Sequence, residues 1–227
     1  MSRPSGAIDM TQGKPINLML RFALPMMIGS IFQSLYSMVD SAVLGRFVGS
    51  HALAIGATTS TTGLILLLAT GVTSAISIVL SQYVGANDTD RVRKGIVASG
   101  WITLLLGVVL GLISVFAARP LMQLLKTPED VIDMSVLYIQ IVCGCGIAQF
   151  AYNAAASILR ALGDSKTPLY FLILCSILNV ILDLISVIGL NMGVAGVAVA
   201  TVGSQAISAV ICILVMFRKY PNLMPKR

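Results

Sequence analysis

Charge is scarce in this chain. Only 11% of its 227 residues are charged, whereas 57% are hydrophobic and the mean hydropathy is +0.93. Soluble domains carry about 25% charged residues and about 45–50% apolar residues. A soluble domain of this length could not bury so much apolar surface. The composition therefore excludes an ordinary soluble fold and indicates a protein whose solvent is the lipid bilayer.

Histidine and cysteine are also scarce. His51 is the single histidine, so any Ser/His/Asp catalytic set would have to use it. The sequence also contains no phosphate-binding Gly-rich loop with lysine. Four cysteines lie in apolar surroundings: Cys143, Cys145, Cys175 and Cys212. The Cys-x-Cys pair lacks further ligands nearby, so we expect small core-filling side chains in place of a metal site.

Long hydrophobic runs dominate what is present. We predict an all-α membrane protein, a bundle of six transmembrane helices, because open strands would leave backbone groups unsatisfied in lipid. Each apolar segment is long enough to cross about 30 Å of hydrocarbon as a helix. The predicted spans are 16–44, 52–83, 95–118, 131–158, 168–189 and 194–217.

The basic residues are unevenly distributed between the two ends of these spans. Of the 15 Lys and Arg residues, all but Arg46, Arg119 and Lys126 fall at the N-terminus, in the second and fourth connections, or in the tail. This bias predicts that both termini are cytoplasmic. Residues 1–15 and 218–227 would then be cytoplasmic segments flanking a lobe at 16–217. The net charge of +6 is a topology signal, and we expect no nucleic-acid partner.

Two aspartates stand inside predicted spans, Asp40 in the first and Asp183 in the fifth. A carboxylate at mid-bilayer costs about 2.5–3.5 kcal/mol on insertion scales, so such residues usually face a bundle interior or an aqueous cavity. Both have polar neighbours at helical spacing. The first span carries Gln33, Tyr36 and Asp40 on one face, and the fifth carries Ser176, Asn179 and Asp183.

Two further spans have polar faces, and convergence of all four faces would form a polar cavity. The fourth span carries Tyr138, Gln149 and Asn153, and the sixth carries Thr201, Gln205 and Ser208. A simpler interpretation is that these groups only join helices, since intramembrane hydrogen bonds are worth about 0.6 kcal/mol on average. That interpretation stays open for the glutamines, the serine, Thr201 and the tyrosines. It fits the two aspartates poorly, because Ser or Asn would join helices without an ionisation penalty.

Burial favours a neutral carboxyl group, and a bound cation reverses that preference. A buried aspartate surrounded by oxygen atoms can therefore exchange a proton for Na⁺. Hard cations prefer carboxylate, amide and hydroxyl oxygens. Asp40, Asn179, Asp183 and Thr201 could supply them, and we expect Asp183 to be the principal ion carrier with Asn179 beside it.

Four stretches together resemble the multidrug and toxic compound extrusion (MATE) family of cation-coupled efflux transporters, from about residue 12 to residue 220. They are "LPMMIGSIFQSLYSMVDSAVLGRF", "LSQYVGANDTDRVRKGI", "LRALGDSKTPLY" and "LNVILDLISVIGLNMGVAGVAVAT". The resemblance implies one lobe, the N-terminal one, of a twelve-helix transporter. It also implies a coupling-ion cluster for Na⁺ or H⁺ at Asp40, Asn179, Asp183 and Thr201, and no other cofactor.

The same resemblance implies export of amphipathic, often cationic, organic compounds by alternating access, from a bacterial or archaeal plasma membrane. Tyr36, Tyr138 and Asn153 match positions that line the substrate cavity, beside Gln33 and Gln149. A complete transporter needs a second six-helix lobe. The chain could be a fragment, a half-transporter that pairs with a second copy, or the product of a truncated gene.

Three alternatives stay open at this point. A flippase for lipid-linked saccharides needs a cationic cavity, yet no basic residue stands in mid-span except Arg21 and Arg46 near the ends. An intramembrane aspartyl protease needs Tyr-Asp and Gly-x-Gly-Asp motifs, but Val39 precedes Asp40, and Ala161 stands where "ALGD" would need glycine. The third alternative is a lobe that folds but transports nothing.

Overall fold

The computed structural model describes residues 14–47 and 52–221, and within these ranges the chain is helical, without a strand. Its elements are α1 Pro15–Phe47, α2 Ala52–Gly85, α3 Thr89–Leu124, α4 Glu129–Gly144, α5 Ile147–Ala161, α6 Lys166–Leu184, a π-helix Ile185–Gly189, and α7 Gly193–Lys219. The predicted all-α membrane fold is confirmed. Five of these helices are long and apolar enough to cross a membrane, and there are six spans if the bent pair α4–α5 counts as one.

The fourth predicted span, 131–158, is not one helix. The chain breaks between Gly144 and Ile147, and α4 and α5 meet at 42°. Glycines on α3 face this break: a Cβ on Gly111 would lie 3.1 Å from the Gly144 carbonyl oxygen, and one on Gly107 would lie 3.2 Å from Ile147 Cα. Close packing of α3 against the bend therefore accompanies the break, which hydropathy alone does not indicate.

Short connections make successive spans antiparallel, so the basic connections lie at one end of the bundle. The connection between α2 and α3 lies at that end. Asp88 caps α3, because its side chain accepts a hydrogen bond from the Arg91 backbone N–H at 3.0 Å. Such a cap satisfies one of the free N–H groups at a helix start. We call this end, which also carries Lys166 and Lys219, the basic end.

A buried ion pair joins α6 to α7 at the basic end. Asp164, in the α5–α6 connection, accepts hydrogen bonds from Lys219 Nζ at 2.6 Å, from Thr167 Oγ1 at 2.6 Å and from the Thr167 backbone N–H at 3.1 Å. Burial by itself would raise the pKa of Asp164, but the hydrogen bonds from Lys219 and Thr167 together lower that pKa below its ordinary value. We call this group the Asp164 network.

Helix α1 contacts the rest of the bundle mainly through α6. Gly29 is buried there, and a Cβ at this position would lie 3.3 Å from the Leu172 side chain. Most of the other α1 side chains that the structure describes are exposed. The lobe therefore holds α1 at its margin, along one side of α6.

Candidate cation site and substrate cleft

Asn179 and Asp183 occupy the buried face of α6. They stand one helical turn apart, and both residues are 0% exposed, although α6 is apolar over most of its length. The spacing of four residues places both side chains on one side of the helix. The sequence-based expectation that these two residues share an inward face agrees with this placement.

Thr201 on α7 completes a polar contact with this face. Asn179 Nδ2 donates to Thr201 Oγ1 at 3.4 Å, and Thr201 is 6% exposed. The bond is longer than the usual 2.7–3.2 Å, so it is weak. Asn179 Oδ1 is buried, and no hydrogen-bond donor in the described part of the chain reaches it. A buried amide oxygen without a donor can coordinate a cation.

The helix changes its winding directly after Asp183. The π-helix Ile185–Gly189 follows Leu184, and Gly196 on α7 packs against it, where a Cβ would lie 3.0 Å from Ser186 Cβ. Single π turns inside helices occur frequently at functional sites. Asn191 and Gly193 both have positive φ, 51° and 56°, and these make the short turn that returns the chain as α7. This corner brings Thr201 back alongside Asn179.

Asp40 and Tyr36, two further predicted site residues, lie on α1, whose backbone is described. Their side chains lie outside the described residues. Their proposed roles therefore stay predictions. Their position on α1 is compatible with those roles, because α1 packs along α6, the helix that carries Asp183.

A polar cleft opens between α1, α5, α6 and α7. One cavity of about 130 Å³ is lined by polar side chains from all four helices, namely Gln33, Gln149, Asn153, Ser176 and Gln205. An adjoining cavity of about 150 Å³ shares Gln33 and continues along α1 and the start of α6. Asn153 Nδ2 is buried at this site and has no acceptor in the described part of the chain. The structure thus brings together three of the predicted cavity residues.

Tyr138, another predicted cavity residue, is not among the residues that line this cleft. It is 8% exposed and packs with Val194 and Ala198 of α7. Ala198 precedes Thr201 by three residues, close to one helical turn. Tyr138 therefore lies on the side of α7 near the cation-site residues.

Two residues of the cleft escaped the sequence reasoning, Tyr152 and Arg160, and both line both cavities. Tyr152 OH donates to the Pro168 carbonyl oxygen at 3.1 Å, which ties α5 to the start of α6. Arg160 Nη2 donates to Ser157 Oγ at 2.9 Å, and no described carboxylate forms an ion pair with it. Arg160 corrects the expectation that the cavity lacks a basic residue. A signal was present, because residues 149, 153, 156 and 160 follow helical spacing.

The donor chemistry of the Asn179–Asp183–Thr201 group is carboxylate, amide and hydroxyl oxygen. Among the described residues no group of three or more His, Cys, Asp or Glu side chains could hold a metal ion. All four thiols are free, and Cys143 and Cys212 are buried as expected for core residues, whereas Cys175 is half-buried and Cys145 is exposed, which corrects the expectation for Cys145. An all-oxygen set with one carboxylate suits Na⁺ or a proton better than a transition metal.

Comparison with known proteins identifies the family of this chain. A model of the MatE family matches residues 25–185. The "Probable multidrug resistance protein YpnP" of Bacillus subtilis is 36% identical over 205 residues, which cover 89% of this chain and 46% of that protein. The "Probable multidrug resistance protein YoeA" of the same organism is 33% identical over 88% of this chain and 44% of that protein.

A solved structure described as an outward-facing conformation of a multidrug resistance MATE family transporter matches with a TM-score of 0.87 and 26% identity. The match covers 95% of this chain and 49% of that chain. The chain thus spans about half the length of the relatives and structures it matches. The family match over residues 25–185, together with the membrane fold, shows that this chain belongs to the MATE family.

Proposed function

We propose that residues 16–217 form one lobe of a cation-coupled exporter, in which Asp40, Asn179, Asp183 and Thr201 bind the coupling ion. The observation that carries this proposal is the complete burial of Asn179 and Asp183 on an apolar membrane helix, with Asn179 Oδ1 left without a donor among the described residues. A carboxylate in hydrocarbon is costly, and residues of this kind mark ion pathways in transporters. Either Na⁺ or a proton can bind to such an oxygen set.

Coupling follows from the exchange of charge at Asp183. When the carboxylate binds Na⁺ or a proton, its net charge disappears and the bundle interior becomes easier to close. The weak bond between Asn179 and Thr201 allows the amide to turn its oxygen towards an arriving ion. The site stands on α6 and α7, while α6 also lines the cleft through Ser176, so one helix connects ion binding with the substrate cleft.

The cleft supplies adaptable polar contacts for amphipathic organic compounds, and the relatives are named as multidrug resistance proteins. Gln33, Gln149 and Asn153 offer amide donors and acceptors. Arg160, which lines the same cleft, would repel cationic compounds because it carries the same charge. It therefore works against the expected preference for them. Export of ethidium, a permanent cation, tests that preference directly in wild type and in Arg160→Gln.

Alternating access requires a second six-helix lobe, and two arrangements can supply it. A longer chain could continue into that lobe, or a second copy could pair about an axis along the membrane normal. The mass of the purified chain in detergent and in lipid distinguishes them. A strictly monomeric mass in both would overturn the pairing with a second copy. Drug accumulation in cells that express this chain alone separates a half-transporter from a lobe that transports nothing.

The orientation proposal follows the basic residues. We place the basic end and both termini in the cytoplasm of a bacterial or archaeal cell. A C-terminal alkaline phosphatase fusion should be inactive, because that enzyme needs the oxidising periplasm for its disulfides. A fully active fusion would reverse the orientation.

A flippase for lipid-linked saccharides is the second candidate function, and Arg160 is the observation that favours it. A pyrophosphate carrier needs cationic groups in its cavity, and Arg160 lines this one. A single arginine is a weak match to that requirement, so export stays first. As a member of the MATE family the chain is not an enzyme, and the aspartyl protease alternative is rejected on the family match.

The deciding experiment is the melting temperature of the detergent-purified chain in a Na⁺ titration at two pH values. We compare wild type, Asp183→Asn and the control Asp133→Asn. In the wild type the Asp133 carboxylate is exposed and paired with Arg119. A ligand that binds only the folded state raises stability. We expect Na⁺ to stabilise wild type and Asp133→Asn but not Asp183→Asn.

A melting temperature that responds to pH alone, and only when Asp183 is present, would assign the coupling ion as a proton. Equal responses from wild type and Asp183→Asn in both titrations would remove the cation site from this lobe. The exporter proposal would then rest on similarity to other proteins.

A further inference from the structure

A groove separate from the substrate cleft runs between α2 and α3. Its volume is about 640 Å³, and its lining includes the small residues Ala75, Gly95 and Ala98. Larger aliphatic side chains, Val79 and Ile102, also line it. Both of these are exposed on the surface of the lobe, so the groove is open along its length in the membrane-spanning part of the two helices.

The length of the groove matches one leaflet of a bilayer. Its lining residues extend from Val72 to Tyr83 on α2 and from Arg91 to Ile102 on α3. At 1.5 Å per residue each stretch is about 16 Å long, and half of a hydrocarbon core of about 30 Å is about 15 Å. The groove therefore runs from the membrane surface at the basic end to about the bilayer midplane.

The two ends of the groove differ in chemistry. Arg91, Lys94 and Tyr83 lie at the basic end, while the deeper lining is aliphatic. The Arg91 side chain is 69% exposed although it pairs with Asp88 at 3.2 Å. Lys94 is exposed and has no ion pair with any described carboxylate. Tyrosine, arginine and lysine are the side chains that meet lipid head groups at a membrane interface.

We propose that the α2–α3 groove binds an anionic phospholipid from the leaflet at the basic end. One acyl chain lies along the small and aliphatic side chains of the groove, and the phosphate faces Lys94 and the exposed edge of Arg91. Basic pockets between membrane helices recognise anionic head groups in this way. The acidic residues nearest the mouth are Asp88 and Asp90; Asp88 is already paired with Arg91, which leaves Lys94 as the main contact for the head group.

This site goes beyond the proposed transport activity and does not depend on it. The substrate cleft is lined by α1, α5, α6 and α7, whereas the groove is lined by α2 and α3 alone. Loss of lipid binding would therefore leave the cation site intact, and failure of the cation-site experiment would not affect the groove.

Native mass spectrometry of the full chain in nonionic detergent tests the proposal. The probes are palmitoyl-oleoyl phosphatidylglycerol and palmitoyl-oleoyl phosphatidylcholine at equal concentration. We expect at least threefold more bound phosphatidylglycerol in wild type, and a loss of that preference in Arg91→Gln/Lys94→Gln. Lys166→Gln/Arg218→Gln is the matched control, because it removes two exposed charges from the same end of the bundle outside the groove.

A second variant tests the acyl-chain contact with the charges intact. Ala98 lines the groove from an exposed position, so the fold should tolerate Ala98→Trp, whose bulk occupies the groove, while bound phosphatidylglycerol falls at least threefold. The proposal is overturned if wild type binds both lipids equally. It is also overturned if the control pair loses as much phosphatidylglycerol as the Arg91/Lys94 pair, because binding would then follow net charge alone.

Discussion

Two aspartates of this lobe are equally buried but lie in different surroundings. Asp164 is 1% exposed and Asp183 is 0% exposed. Asp164 accepts three hydrogen bonds, one of them from the ammonium group of Lys219. Asp183 lies near the far end of α6, about 25 Å along the helix from Lys166, the basic residue at its start. Its polar neighbour one turn away is Asn179, whose Oδ1 accepts no hydrogen bond from the described residues.

The comparison shows that burial alone does not reveal what a carboxylate does. At Asp164 the protein provides the donors that stabilise the charged form, so the residue fastens α6 to α7. On the same face of α6 as Asp183, the buried Asn179 Oδ1 has no donor among the described residues, and such an oxygen can coordinate a cation. Each difference between the two sites leads to a measurable difference between variants.

The largest expected effect is on stability, and only the change at Asp164 should be destabilising. Asp164→Asn should lower the free energy of unfolding by about 2–3 kcal/mol, because it removes a charged hydrogen-bond acceptor and leaves Lys219 partly buried without its counter-ion. Asp183→Asn should be neutral or stabilising in Na⁺-free buffer, because a neutral amide is easier to bury. Unfolding in mixed micelles measures both; equal destabilisation by the two changes would contradict the comparison.

The close packing beside Asp183 gives the next effect. Gly196→Ala should destabilise the lobe by about 1–2 kcal/mol, since the new methyl group would lie 3.0 Å from Ser186 Cβ and 3.2 Å from its backbone carbon. Gly100→Ala on α3 is the matched control, because nothing lies within 4 Å of its Cβ position. Alanine there should stabilise slightly through helix propensity. Thermal melts of the two variants test this expectation. Equal shifts in melting temperature would show that the packing of Gly196 against Ser186 does not limit stability.

The pH dependence of stability separates the two sites further. Because the native pKa of Asp164 lies below its ordinary value of 3.8, its contribution to stability is fully present above that value and is lost as the pH falls through the native pKa. Wild type should therefore lose stability as the pH falls below about 4, and Asp164→Asn should lose less over the same range. Melting temperatures from pH 6 to pH 3 provide the test. An unchanged acid limb in the variant would show that other groups cause it.

The smallest expected effect concerns Thr201. Thr201→Val keeps the side-chain shape but removes the hydroxyl oxygen, so Na⁺ affinity should fall about fivefold, equivalent to about 1 kcal/mol for one lost ligand. Thr201→Ser keeps the oxygen and should stay close to wild type. Isothermal titration with Na⁺ measures both. Equal affinity in all three proteins would leave Thr201 only as the partner of Asn179.

Much of the fold could be predicted from the sequence, because hydropathy and charge act locally along a membrane helix. The segment at 194–217, for example, corresponds closely to α7 at Gly193–Lys219. The break at Gly144 and Gly146 could not be predicted, since it lies where Gly107 and Gly111 of α3 pack against it. The prediction for Asn179, Asp183 and Thr201 used helical spacing for the first two and the family resemblance for the third.

The cleft was predicted less completely. Arg160 was interpreted only as a topology signal, because a basic residue at a span end is normally explained by the interface. Its position beside Gln33 and Asn153 depends on how α1 and α6 pack against α5. The Asp164 network escaped prediction for the same reason, since Lys219 lies 55 residues away along the chain.

The sequence by itself determined that this protein belongs in a bilayer, where its long apolar segments lie, and which two carboxylates need an explanation. These properties depend on the transfer free energy of each segment, which is nearly independent of the other segments. Only the tertiary structure decided that Asp164 receives hydrogen bonds from Lys219 and Thr167, and that Asn179 Oδ1 is buried one turn from Asp183 without a donor among the described residues. Hydrogen bonds and cavities form between helices, and the distances between their atoms are set by packing that no single segment encodes.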